Sequence, residues 1–191
     1  MYKIKKLNLG CGKFPKDGYI NLDIDKNSIA DIFWDLREFP YPFENNSFSL
    51  IEACHVIEHL PEPLDAIKEL NRILTPGGKL IMKVPHFSRG NTHPDHKRGF
   101  DVSLPYYFSP TFKGGYTGVE FISEKIKLRW TSQPYLKKQT FSPFLFFLLI
   151  TLGAIIDFLA NLSPAFCSRV WCFFVGGFEE IEFSFIKTKQ S

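Results

Sequence analysis

The 191-residue sequence is short of cysteine, of net charge and of any apolar run long enough to span a membrane. Each shortage excludes something. Four cysteines (Cys11, Cys54, Cys167 and Cys172) cannot staple a chain of this size, so reduced thiols and a cytoplasmic setting are expected. A formal net charge of +3, from 23 basic and 20 acidic residues, is too weak a bias to argue for nucleic acid, and no such partner is expected. The densest apolar stretch, Phe144–Ile156, falls short of the roughly 20 residues that a single span needs. The opening Met-Tyr-Lys-Ile-Lys-Lys runs straight into a strand-like segment, so no targeting sequence is expected ahead of the fold. What the chain does have is phenylalanine: 21 residues, of which 15 lie from Phe100 onward, more large apolar surface than a plain soluble domain requires.

Length argues for a single domain. The first 88 residues alternate strand and helix signals. Lys6–Gly10, Tyr19–Ile24, Asp31–Leu36, Phe48–Val56 and Lys79–Val84 read as short strands. Leu64, Ile67, Leu70, Ile73 and Leu74 have the spacing of one helical face, stopped by Thr75-Pro76-Gly77-Gly78. Strands separated by helices imply a parallel sheet. Too few residues separate Ile20 from Leu50 for full helices, so one face of that sheet is expected to be trimmed. Residues 86–101 read as a long polar loop, Lys125–Trp130 as a further strand and Phe178–Lys187 as the last one.

The decisive stretch is Leu7-Asn8-Leu9-Gly10-Cys11-Gly12. A buried strand entering a helix through small residues lets a ligand lie against bare backbone. Alone, such a turn is equally well a tight connection. Asp23 and Asp35 end the next two strands, where carboxylates can accept hydrogen bonds from ribose hydroxyls and an adenine amino group. A nicotinamide dinucleotide is the rival, but its third glycine would fall at Pro15, which has no N–H to offer a pyrophosphate.

Leu7–Gly12, Asn21–Asp25, Trp34-Asp35-Leu36, Phe48–Leu60 with its His-Val-Ile-Glu-His-Leu, and Glu69–Leu80 form an ordered series of motifs. In these the chain resembles the class I S-adenosylmethionine-dependent methyltransferases. The resemblance implies a Rossmann-like α/β sheet of about seven strands, mostly parallel with an antiparallel last strand, and S-adenosylmethionine as cofactor. It assigns cofactor contacts to Asn8, Leu9, Gly10, Cys11, Gly12, Asp23, Ile24, Asp35, Leu36 and His55. Two departures stand out: Asn8 replaces an acidic residue, and Phe14 occupies a third glycine position.

A neutral hydroxyl acceptor needs a base within reach, and His55 and His86 are the catalytic candidates. His93, His96, Arg98 and Tyr107 are assigned to the acceptor; no metal site is expected, despite the His-x-x-His of the loop. Residues 1–88 are thus read as the cofactor-binding half and 89–130 as the acceptor-side loop and strand. Residues 131–177 form an apolar helical insert before the last strand, 178–188. Within that insert Asp157 and Asn161 lie one helical turn apart beside Gly153 and Ala160, with Leu149, Leu152, Ile156 and Leu159 read as an opposite, greasy face. The expected activity is methyl transfer, most simply O-methylation, to a small-molecule or lipid- or glycan-linked acceptor. Residues 144–171 are expected to meet the inner face of a membrane peripherally, or a second copy in a homodimer. The alternative is a catalytically silent cofactor-binding subunit that scaffolds a partner through the insert.

Overall fold

A computed structural model describes residues 5–90 and 93–189. Seven strands form one sheet: β1 (Lys5–Leu9), β2 (Ile20–Asp23), β3 (Ile32–Phe33), β4 (Phe48–Cys54), β5 (Leu74–Pro85), β6 (Phe121–Arg129) and β7 (Glu180–Lys187). Their order is β3-β2-β1-β4-β5-β7-β6. All run parallel except β7, which is antiparallel to both its neighbours. This is the expected Rossmann-like arrangement, with an apolar helix before the last strand.

The core lies on one face of the sheet because the inner strands alternate. Leu80, Met82 and Val84 of β5 stand directly opposite Phe185, Phe183 and Ile181 of β7, and all six are fully buried. Phe108 and Phe121 extend this layer, each packing on Phe185 with centroids about 5.4–5.5 Å apart. Helix α1 (Pro63–Ile73) covers the N-terminal half, burying Ala66, Ile67, Leu70 and Ile73. Proline at its first position costs nothing there, since that N–H has no partner inside the helix.

The glycine turn does not open a helix. From Gly10 to Gly18 the chain is a series of turns and irregular segments. Pro15 lacks the N–H that a helix interior needs, and Gly18 takes a φ of +76°. Among the described residues no helix joins β1 to β2, β2 to β3 or β3 to β4. Parallel sheets usually have both faces covered. The second face here carries charge instead: Glu182 sits between Lys83 and Lys127 on the neighbouring strands, 3.5 Å from each, and Lys16 pairs with Glu52.

After β5 comes a single short turn of helix, α2 (Phe87–Gly90), and the polar loop. The insert folds as α3 (Pro134–Thr140), α4 (Pro143–Ala160) and α5 (Pro164–Arg169). Helix α4 is longer than its densest apolar run: 18 residues with a mean hydropathy of 2.3, only 17% buried, and by length and composition enough to cross a membrane. It is nevertheless tied to the sheet. Gly153, Ile156 and Ala160 are its buried residues, so Ile156 belongs to the docked face and not to the outward one. Leu149 is half-buried, whereas Leu152 and Leu159 do face outward.

Candidate active site

The strand order reverses direction at β1, which has β2 on one side and β4 on the other. Open α/β sheets bind ligands in the crevice at such a switch point. A cavity of about 360 Å³ lies there, lined by Gly10, Asp23, Ile24, Asp35, Leu36, Arg37, His55, Val56, His59 and Leu60. That volume is within the range of small-molecule sites, roughly 300–1,000 Å³.

Gly10 is required by its backbone. Its φ is +62°, and a Cβ would come within 2.2 Å of a Val56 methyl carbon. Asp23, at the end of β2, accepts from the Gly12 N–H at 2.7 Å and from the Asp25 N–H at 2.8 Å. Its carboxylate still has lone pairs for a ligand. Asp35 is gripped by the Arg37 guanidinium, with N–O distances of 2.6–3.0 Å, and these hydrogen bonds hold its carboxyl below the usual carboxylate range. Ile24 and Leu36 supply apolar walls.

The other assigned cofactor contacts fall elsewhere. Asn8 is buried and donates to the Phe14 carbonyl and to Asn21 Oδ1, so it braces the irregular connection that replaces the first helix. Leu9 is core, and Cys11 is buried with its thiol 3.9 Å from the Ile29 carbonyl. Gly12 offers its N–H to Asp23 and does not line the cavity.

His55 follows β4 with a φ of +55°, a left-handed conformation unusual for a side chain of this size. Its Nε2 lies 2.8 Å from Glu180 and its Nδ1 3.4 Å from Glu58. Burial works against the charged form, but the hydrogen bond to Glu180 and the negative charge of Glu180 and Glu58 outweigh it and push the imidazole up to about 9. Both its nitrogens face carboxylates, so in this arrangement neither is free to take a proton from an acceptor. His86 is displaced altogether. It is fully buried, its ring nitrogens 2.6 Å from Ser88 Oγ and 2.8 Å from Ser168 Oγ, and burial drives it down to about 4. It pins α5 to the end of β5 and touches no cleft.

A second cavity, about 520 Å³, shares His55 and His59 with the first and is also lined by His93 and His96, the two loop histidines assigned to the acceptor. Arg98 instead donates to the Pro61 carbonyl at 3.2 Å, and the Lys97 N–H donates to the Glu58 carbonyl, so this stretch anchors the loop. Tyr107 packs its ring on Phe112 and accepts from Thr117 through its carbonyl, away from both cavities. The sequence reading missed Glu179, which gathers Arg89 at 3.0 Å, Lys137 at 2.6 Å and the Ser132 N–H at 2.7 Å on the acceptor side. These partners lie 42 to 90 positions from Glu179 and share no motif with it, so no local signal marks them.

Comparison with known proteins agrees with this geometry. A family model described as a methyltransferase domain matches residues 19–82. The demethylmenaquinone methyltransferase of Staphylococcus haemolyticus is 42% identical over 40 residues, 21% of this chain and 17% of that protein's length. A S-adenosylmethionine-dependent methyltransferase from Archaeoglobus fulgidus superposes with a TM-score of 0.60 at 16% identity, covering 97% of this chain and 87% of the other. The chain has the class I methyltransferase fold. The fold itself is not tied to one reaction. A structure titled as the [4+2]-cyclase SpnF matches at a TM-score of 0.58 and 18% identity, over 98% of this chain and 75% of that one. S-adenosylmethionine is the cofactor that this fold implies, and the switch-point residues fit it. The Gly10 backbone lines the cavity at the end of β1, and two carboxylates stand at or just beyond the ends of β2 and β3.

Proposed function

We propose that this protein transfers a methyl group from S-adenosylmethionine to a deprotonated oxygen of an amphiphilic, lipid-linked acceptor, so that the oxygen's lone pair forms the new bond as the sulfur leaves. The observation that carries the transfer is the switch-point cavity, where the bare Gly10 backbone, Asp23 and Asp35 converge. When bound, the cofactor supplies an electrophilic methyl group. Asp23 would accept from its ribose hydroxyls and Asp35 from its adenine amino group, with Ile24 and Leu36 against the base. The chain's contribution is alignment and exclusion of water, which can lower a barrier by several kcal/mol, roughly 7–11 in the best-oriented cases.

The acceptor reading rests on two neighbouring spaces. The His-lined cavity shares Ser132 and Gln133 with a groove of about 840 Å³ between α4 and the end of the sheet. One wall of that groove carries Lys83, Lys125, Lys127 and Arg129, and the other carries Ile150, Ala154, Phe158 and Leu162. A charged wall facing an apolar one suits a molecule with an anionic head and a hydrocarbon tail.

Calorimetry with S-adenosylhomocysteine and with NAD tests the cofactor. The homocysteine nucleoside should bind, and Asp23→Ala should weaken it about 10–100-fold, the effect of losing hydrogen bonds to a charged group. Binding of NAD alone would refute the reading. Incubation of cell extract with labelled methyl donor should then place label in the lipid fraction. The geometry of His55 and His86, neither of which can act as a base, supports a second reading, the silent cofactor-binding subunit. Tight nucleoside binding with no labelled product in any fraction would favour it.

A further inference from the structure

The turn after β4 and the polar loop after β5 meet at a point that methyl transfer alone does not account for. Glu58 lies in a short 3₁₀ segment, Ile57–His59, and its side chain is completely shielded from solvent. Among the described residues neither carboxylate oxygen has a hydrogen-bond partner. Its ionic neighbours, His55 Nδ1 at 3.4 Å and His96 Nε2 at 4.0 Å, stand beyond good hydrogen-bonding distance. A buried carboxylate held this way is costly unless a cation or a close donor meets it.

His96 is brought here by the backbone: the Lys97 N–H donates to the Glu58 carbonyl at 3.0 Å, which fixes the loop against the 3₁₀ turn. The imidazoles of His59 and His96 come to a centroid separation of 4.9 Å, and one ligand atom from each of Glu58, His59 and His96 lies within 4.8 Å of the others. Two imidazoles and a carboxylate form the donor set of Zn²⁺, Co²⁺ and related divalent ions, and three protein ligands leave coordination positions open. Both histidines line the acceptor cavity.

We propose that Glu58, His59 and His96 form a binding site for a divalent transition-metal ion of the zinc class, which fastens the loop of residues 93–98 across the acceptor cavity. The ion would neutralise the Glu58 carboxylate and make His96 the loop's attachment point. Its open positions would be available to an oxygen of the acceptor, whose acidity the ion would raise. That last role rests on the proposed methyl transfer; the site itself does not.

The test reads metal directly. The full-length protein, stripped with chelator, is titrated with Co²⁺ and followed by visible absorption, then back-titrated with Zn²⁺. One equivalent should bind, and His96→Ala and His59→Ala should each weaken binding about 100-fold or more, the upper range seen when support for a ligand is lost. Lys97 and Arg98 are exposed, so trypsin cleavage at this loop gives a second readout. Zinc should slow cleavage of the wild-type protein and leave the His96→Ala loop unprotected. Absence of stoichiometric Co²⁺ binding, or binding that His96→Ala leaves unchanged, would overturn the site. Because no methyl donor is present, such a failure would leave the methyltransferase reading standing.

Discussion

His86 places an imidazole where no water reaches it, between two serine hydroxyls, with Ser168 passing the contact on to Asp101 at 3.1 Å and Asp101 to Arg169 at 2.6 Å. Burial disfavours its protonated form, and the folded-state value of about 4 lies below the ordinary 6.5. The unfolded chain therefore binds a proton at this residue between about pH 6.5 and 4 while the native protein does not, so native stability falls as pH falls through that window. A shift of this size corresponds to about 3 kcal/mol. Urea denaturation at pH 7.5, 6 and 4.5 should show this loss. His86→Gln, which cannot titrate, should be less stable at pH 7.5 but should have a flatter pH dependence above pH 4.5. Equal slopes in the two proteins would contradict the assignment.

Helix α4 contains the one charge in the thirty residues from Gln139 to Ser168, and the sheet edge explains why it is there. As the outermost strand, β6 has backbone groups with no strand beyond them. Asn161 fills two of these places, accepting from the Leu128 N–H and donating to the Leu128 carbonyl, each at 2.9 Å. One turn earlier Asp157 accepts from the Trp130 N–H at 2.7 Å and pairs with Arg129 at 3.1 Å. The small Gly153 lets the helix approach, its Cα facing Thr131 and Trp130. An apolar helix thus covers the edge, held by two polar side chains on its docked face. Asn161→Leu should lower stability by about 1–3 kcal/mol, since it strands both backbone groups of Leu128. Hydrogen exchange at Leu128 and Trp130 should accelerate in that variant, and unchanged exchange would show that α4 does not depend on this contact.

Across the whole molecule, polar and apolar surfaces are segregated. The uncovered sheet face is a lattice of ion pairs, while α4, α5 and the following turn leave Phe144, Phe147, Phe158, Phe173 and Phe174 each about two-thirds or more exposed. Contiguous apolar surface of this kind marks a contact with a membrane or another protein. At 1.5 Å per residue α4 is about 27 Å long, close to a hydrocarbon core of about 30 Å. Its Asp157 and Asn161 contacts to β6 would have to break for it to span, so the proposed membrane contact is a peripheral one. Flotation with liposomes should therefore persist at 1 M salt, where screening removes simple charge attraction. Phe147→Asp and Phe158→Asp should each reduce it severalfold. No flotation, together with a stable dimer that these substitutions dissociate, would assign the surface to a second copy.

The one-dimensional order of the chain was enough to establish the sheet and several of the residues that line the switch-point cavity. Strand periodicity, the Gly10 turn and the carboxylates Asp23 and Asp35 are local features, each fixed by residues a few positions apart, and the switch-point cavity assembles from them. The missing helices between β2 and β4 were legible from segment length for the same reason, whereas the helix expected after the Gly10 turn did not form. Histidine roles were not local. Whether an imidazole is a base, a core pin or a ligand depends on its neighbours in space, and those come from far along the chain: Glu180 for His55, Ser168 for His86, Glu58 for His96. Asn8 likewise read as a cofactor acceptor until the fold turned it toward Asn21. Composition announced the apolar insert, but only tertiary structure decided which of its residues dock on β6 and which face outward. A helix's buried stripe is set by the strand edge it meets, and that edge lies some thirty residues away.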